Sequence, residues 1–153
     1  MRDRGELRLY GGRVTDVKQF IKEIQLELYG SERIHLIADK YRQQEFIEIM
    51  NNAGITWPCT WRGSGTGHSA DGAKDVRAFQ NAALGGRIKS KPSLLMESAI
   101  ASSSVARDKA DHPHLEKATS RGRIDVLQAG VLAVSMGERW SAVPNRRVYH
   151  GKV

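Results

Sequence analysis

The chain of 153 residues has the length of about one domain, and its composition, 40% hydrophobic and 27% charged, is that of an ordinary globular protein. Its 24 Lys and Arg residues outnumber 17 Asp and Glu residues, and the resulting net charge of +7 favours polyanionic partners, nucleic acid first, although a basic surface also serves solubility. The single cysteine excludes an internal disulfide. No apolar run reaches the roughly 18 residues of a membrane span, and the first ten residues do not form a signal peptide. We therefore expect a cytoplasmic protein.

The first half of the chain predicts strands that alternate with helices. Apolar residues at Leu7, Leu9 and Val14 indicate a first strand, and apolar residues repeating every three or four positions predict an amphipathic helix over 15–30 that ends at Gly30. A short apolar strand follows over 34–38.

Asp39 stands at the carboxyl end of that short strand. A second helix over 42–54 stops at Gly54, and a strand over 55–61 contains Pro58, which favours an edge or a bulge. Helices between short apolar strands are typical of an α/β sheet with parallel neighbours.

The second half predicts fewer strands. A loop of small residues over 62–75 precedes a helix over 73–87, and a helix is expected to begin after Pro92, with a strand around Ser102 to Val105. Residues 110–123 form a polar connection. An apolar helix over about 125–139 follows, and the basic tail 141–153 has no clear element.

Two aspartates are the main candidates for chemistry. Asp39 lies where ligands gather in open α/β sheets, as a metal ligand or general base, but it can equally cap the next helix. Asp125 opens the last helix, and its spacing to Gln128 is that of a capping box. If Ser120 or Thr119 caps that helix instead, Asp125 lies inside it and needs a partner or a metal when buried.

Other patterns carry weaker signals. The glycine-rich stretch 63–67 lacks the lysine and spacing of a phosphate-binding loop, so no nucleotide site is predicted. Residues 111–114, Asp-His-Pro-His, hold three possible ligands without a second cluster that would complete a zinc site. Basic residues form three short groups that would follow a phosphate backbone if they share a face: Arg87, Lys89 and Lys91; Arg121 and Arg123; Arg146 and Arg147.

Several blocks in order resemble a known family. The blocks are "IADKYRQQEF", "NNAGI", "WRGSG", "DVRAFQNAALGGRIKSKPSLLMESAIASSSVARD" and "EKATSRGRIDVLQAGVLAVSMG", over about 34–137. Together they resemble the carboxyl-terminal nuclease domain of the large terminase subunit of tailed bacteriophages. The resemblance implies an RNase H-like α/β fold, in which helices flank a mixed sheet. It also implies that the domain cuts concatemeric double-stranded DNA.

The resemblance also implies roles for individual residues. Asp39 matches the family's acidic residue at the end of the central strand, and Asp125, in "GRID", matches the acidic residue that opens the last helix. Both are expected to be catalytic and to bind Mg²⁺ or Mn²⁺, since hard cations prefer carboxylate oxygens. Asp108, in "VARD", is a weaker candidate for metal binding or structural support. Basic residues around these blocks are expected to contact DNA: Arg87, Lys89, Lys117, Arg121 and Arg123.

The sequence departs from the family at its start. The strand that carries the family's first catalytic aspartate has no match here, and the packaging ATPase is absent. The chain is therefore expected to be one partial nuclease domain over 1–153 whose sheet exposes an edge or recruits another chain. The intact protein would act with the terminase small subunit and the portal. Two alternatives stay open: a non-catalytic DNA-binding remnant of the same domain, and a nucleotide-binding α/β protein of another family.

Overall fold

The computed structural model describes residues 17–30, 34–40, 43–62, 70–119 and 122–141, and at Asp39 it describes the backbone alone. The first predicted strand, the candidate Arg121 and the basic tail 142–153 lie outside the described residues. The chain divides into two compact units, Met1–Gly65 and Thr66–Val153.

The first unit alternates helices and strands as predicted. Its elements are α1 (Val17–Glu27), β1 (Leu36–Asp39), α2 (Gln43–Asn52) and β2 (Cys59–Arg62). The two helices end before Gly30 and Gly54, which adopt positive φ values of 81° and 66° that glycine accommodates without strain. The strands pair in parallel, with Leu36 opposite Cys59 and Asp39 opposite Arg62. The predicted α/β arrangement with parallel neighbours is therefore confirmed.

The core of the first unit lies between its two helices and the sheet. Its buried members are Val17, Ile21, Met50 and Ile55, and partly buried side chains of β1, α2 and β2 pack against them. Val17 and Ile21 are four residues apart on α1, so the helix buries one stripe and leaves the rest to solvent. The strand predicted over 55–61 begins only at Cys59, directly after Pro58, where the missing N–H of proline interrupts no ladder.

The second unit contains three helices and a hairpin. Its elements are α3 (Ala70–Leu84), α4 (Leu94–Ala101), β3 (Ser103–Arg107), β4 (Pro113–Lys117) and α5 (Asp125–Ser141). Ser93 caps α4, since its hydroxyl accepts a hydrogen bond from the backbone N–H of Met96 at 3.2 Å. The two strands are antiparallel, with Val105 opposite Leu115.

Residues from every helix of this unit form its core. Val76 of α3, Ala99 of α4, and Leu127 and Val131 of α5 are buried together, and Leu115 of β4 packs against them. Because Leu127 and Val131 are four residues apart, one stripe of α5 faces this core. Among the described helices, none combines the length and the apolar character that crossing a bilayer requires.

Two predictions in this unit are wrong. Residues 70–72 belong to α3 rather than to a loop, because Asp71 stabilises the first turn of the helix and the small residues Gly72 and Ala73 are buried. Residues 113–117 form β4 rather than a polar connection. Their local preference for strand is weak, but pairing with β3 and burial of His114 at 3% exposure outweigh it.

Candidate metal and DNA-binding site

Asp39 is the last residue of β1, at the carboxyl end of the parallel pair. Its register partner is Arg62, and the next N–H, that of Lys40, still donates to the Arg62 carbonyl at 2.7 Å. Helix α2 begins at Gln43, so Asp39 does not directly precede its first turn as an N-cap would. The backbone therefore places Asp39 at the edge of the sheet where α/β proteins bind ligands.

Asp125 is the first residue of α5, and its side chain is exposed. The N–H of Gln128 donates to the carbonyl of Ile124 at 2.9 Å, so Ile124 occupies the N-cap position and Asp125 the first helical position. This register does not match a capping box with Asp125 as the cap. Because the side chain is exposed, its charge costs no desolvation, and the helix dipole favours a negative charge there.

The segment before α5 brings two candidate DNA-binding residues to the surface. Lys117 ends β4 and is exposed, and Arg123, also exposed, lies two positions before Asp125. Between Lys117 and Arg123, the N–H of Gly122 donates to the carbonyl of Thr119 at 3.0 Å. Both side chains are therefore accessible to solvent close in sequence to Asp125.

Arg87 and Lys89 lie elsewhere in the second unit. Arg87 donates to both carboxylate oxygens of Glu138 at 3.1 and 3.2 Å, close to the carboxyl end of α5. Glu138 is 13 helical positions from Asp125, a separation of about 20 Å at 1.5 Å per residue. Lys89 is exposed. Arg87 therefore lies near the carboxyl end of α5, whereas Arg123 lies just before its start.

Asp108 stabilises the connection between β3 and β4. Its Oδ1 accepts from the N–H groups of Ala110 and His112 at 2.8 and 2.9 Å, and its Oδ2 lies 3.2 Å from Nδ1 of His112. The backbone hydrogen bond from His112 is the main reason that the pKa of Asp108 is lowered, because it favours the charged form. Asp108 therefore holds the turn between β3 and β4 together, and its role in metal binding stays a prediction.

The predicted Asp-His-Pro-His loop is a turn followed by the start of β4. Asp111 adopts a positive φ of 62° in the turn, and His112 contacts Asp108. His114 is buried, and its Nε2 lies 2.8 Å from a carboxylate oxygen of Glu116, a contact that raises the pKa of His114 although burial opposes it. In the parts of the chain that the structure describes, no three His, Cys, Asp or Glu side chains are grouped to hold a metal ion.

Sequence reasoning missed one buried polar cluster. Asp75 of α3 is fully buried and accepts hydrogen bonds from Ser135 and Arg139 of α5. The signal was present, because Ser135 and Arg139 continue the four-residue spacing of the apolar stripe of α5. A polar residue in such a stripe indicates a buried partner on the facing helix.

Comparison with known proteins supports the fold. No protein-family model matches the chain, and no curated protein matches it. Among solved structures, the crystal structure of the HK97 bacteriophage large terminase superposes with a TM-score of 0.75 at 21% sequence identity, over 88% of this chain. The chain spans 27% of the length of that protein. The chain therefore has the α/β fold of part of a phage large terminase, which confirms the fold implied by the resemblance.

Proposed function

We propose that this chain is the nuclease part of a phage large terminase and that it cuts concatemeric double-stranded DNA with Mg²⁺ or Mn²⁺ bound by Asp39 and Asp125. The observation that carries the proposal is the position of Asp125, an exposed carboxylate that opens α5 within a terminase fold. In the intact protein this part would act with the packaging ATPase, the small subunit and the portal, in the cytoplasm of a bacterial host.

The residue types fit the chemistry of a hard cation. Carboxylate oxygens are preferred ligands of Mg²⁺ and Mn²⁺, and such cations bring several of their own waters. Asp125 is exposed in the first turn of its helix, so its oxygens are accessible to a hydrated ion. Asp39 ends a strand at the edge where ligands bind in α/β folds. Asp108 is the weaker third candidate, because three hydrogen bonds already engage its carboxylate.

The roles of the protein groups follow from their positions. When bound, a pair of metal ions supplies an activated water and neutralises charge on the leaving oxygen of the phosphodiester. Asp39 would hold the ions from its strand end and Asp125 from its helix start. Arg123 and Lys117 would bind phosphates beside the scissile bond. Arg87 and Lys89 would bind the duplex about 20 Å away, or roughly six base pairs at 3.4 Å each.

A plasmid nicking assay with Mn²⁺ tests the proposal. The wild-type chain should cut, and Asp125→Asn should lower the rate by at least about 10- to 100-fold, since loss of a ligand costs at least as much as loss of an outer-shell partner. Folding should change little, because an exposed charge in a first helical turn contributes only about 0.3–1 kcal/mol. Asp39→Asn should give the same loss of cutting.

Asp71→Asn is a matched control. Asp71 is also an exposed aspartate in the first turn of a helix in the same unit, so this substitution repeats the change in charge and in helix-dipole interaction. It should leave cutting within about twofold, since it removes no ligand. Equal rates for the wild type and Asp125→Asn would refute the metal site.

The second candidate function is a DNA-binding module without cleavage. The net charge of +7 and the exposed Lys117 and Arg123 favour it independently of any metal. It predicts that the wild-type chain retards duplex DNA in a salt-dependent manner while plasmid stays intact with Mn²⁺.

A further inference from the structure

The contact between α3 and α5 has an apolar half and a polar half. In the apolar half Val76 of α3 packs with Leu127 and Val131 of α5. In the polar half Asp75 of α3 meets Ser135 and Arg139 of α5. The four residues of α5 are each four positions apart, so they form one continuous stripe whose chemistry changes from apolar to polar along the helix.

The polar half consists of short, directional hydrogen bonds to one carboxylate oxygen. Ser135 Oγ donates to Asp75 Oδ1 at 2.6 Å, and Arg139 Nη2 donates to the same oxygen at 2.5 Å. The side chain of Asp75 is 1% exposed and that of Arg139 is 39% exposed, so the guanidinium closes the cluster toward solvent. Asp75 thus accepts hydrogen bonds from two donors of α5 in a place where a carboxylate without partners would be costly.

Apolar packing alone specifies the register of two helices less strictly than apolar packing together with buried hydrogen bonds. A hydrogen bond to a buried carboxylate is lost when its donor moves away, whereas a contact between apolar side chains has no such directional requirement. A slip of one helical turn would move every residue of α5 by about 5.4 Å along its axis. Asp125 and Arg123 would move with the helix, because Asp125 is part of it and Arg123 directly precedes it.

We infer that Asp75 is a positioning residue: through Ser135 and Arg139 it fixes the register of α5 on α3 and so the place of Asp125. This inference rests on the proposed function, because the register matters for catalysis only if Asp125 binds the metal. A displacement of about 1 Å at a reacting centre can lower a rate by about 100-fold, so a loss of register would affect cutting before it unfolds the protein.

The test compares Asp75→Ala with Val76→Ala in the full chain. Both change fully buried residues of the same turn of α3, but only the first removes the polar contacts. At a temperature where circular dichroism shows both to be folded, Asp75→Ala should lower the cutting rate by about 100-fold and raise the Mn²⁺ concentration for half-maximal rate. Val76→Ala should have a lower melting temperature than the wild type. Its cutting rate and its Mn²⁺ concentration for half-maximal rate should stay within about twofold of the wild type.

Ser135→Ala provides a milder variant if Asp75→Ala does not fold. It removes the hydrogen bond from Ser135 and leaves the one from Arg139 in place, so it should give a smaller loss of rate in the same direction. Equal rates per folded molecule for Val76→Ala and the polar-cluster variants would overturn the inference.

Spin labels measure the register without reference to activity. In a Cys59→Ala background, labels at the exposed positions Lys74 on α3 and Ala129 on α5 should give one narrow distance distribution. Asp75→Ala, or Ser135→Ala, should shift or broaden it by several ångströms, up to the roughly 5 Å of one turn, and Val76→Ala should not.

An unchanged distribution in the polar-cluster variants would overturn the inference. A wild-type chain that does not cut DNA would instead refute the nuclease proposal, and with it the claim that the register of α5 on α3 affects cutting. The distances alone would then decide whether Asp75 fixes that register.

Discussion

In the structure the guanidinium of Arg87 donates two hydrogen bonds to the carboxylate of Glu138. If Arg87 binds DNA, a phosphate must therefore compete with Glu138 for it. We predict that Glu138→Gln releases Arg87 and strengthens DNA binding. The pair itself contributes little stability, since the side chains of Arg87 and Glu138 are 52% and 40% exposed. Exposed ion pairs contribute about 0.2–1 kcal/mol. The melting temperature should therefore fall by no more than about 4 °C in a chain of this size.

The effect on DNA binding follows from counterion release. One additional phosphate contact steepens the slope of log K against log salt by about 0.9, which is a factor of about 3.5 between 50 and 200 mM salt. Fluorescence anisotropy of a labelled duplex, titrated at several salt concentrations, measures this slope. Glu138→Gln should bind more tightly at low salt and show the steeper slope.

Glu97→Gln is the control for net charge. Glu97 is exposed on α4 in the same unit, so the substitution makes the same change of charge on a different helix from Glu138. Adding Arg87→Ala to Glu138→Gln should abolish the gain. The reasoning is refuted if Glu138→Gln and Glu97→Gln bind DNA with the same slope, and Arg87 would then have a structural role only.

Two further predictions concern the stability of the second unit. Because Glu116 raises the pKa of His114 above its usual 6.5, this contact stabilises the fold fully below that value and the stabilisation is lost as pH rises through the raised pKa. The difference in melting temperature between the wild type and His114→Gln should therefore be larger at about pH 6 than at about pH 9, and a constant difference would contradict the assignment. Gly122→Ala should cost about 1–3 kcal/mol in thermal or urea unfolding, because its Cβ would lie 3.0 Å from the carbonyl oxygen of Ser102. Gly137→Ala, in α5 with open space around the new methyl group, should instead stabilise by about 0.5–1 kcal/mol, and equal effects of the two substitutions would refute the steric explanation.

The helices were predictable because their signals are local. Apolar residues at helical spacing and glycines at the ends suffice to locate α1 and α2, and both glycines adopt the left-handed conformation that ends a helix. Strand β4 was not predictable in this way. It begins with Pro113 and includes His114, and it forms because Asp108 stabilises the turn that returns the chain to β3.

The candidate site was predictable only in part. The resemblance suggested Asp39 and Asp125 as site residues, which stays a prediction, and the structure shows that the first ends a strand and the second begins a helix. No local pattern specifies the distance between residues of two different units. The ion pair of Arg87 with Glu138 and the buried Asp75 cluster likewise depend on which residues meet across helices, which one sequence does not reveal.

The central claim is that Asp39 and Asp125 bind the same pair of metal ions. A crystal structure of the chain with Mn²⁺, using the anomalous signal of the metal, tests it most directly. We predict two Mn²⁺ ions about 4 Å apart with both carboxylates as ligands. Carboxylates of Asp39 and Asp125 more than about 10 Å apart, or Mn²⁺ bound without either of them, would contradict the claim.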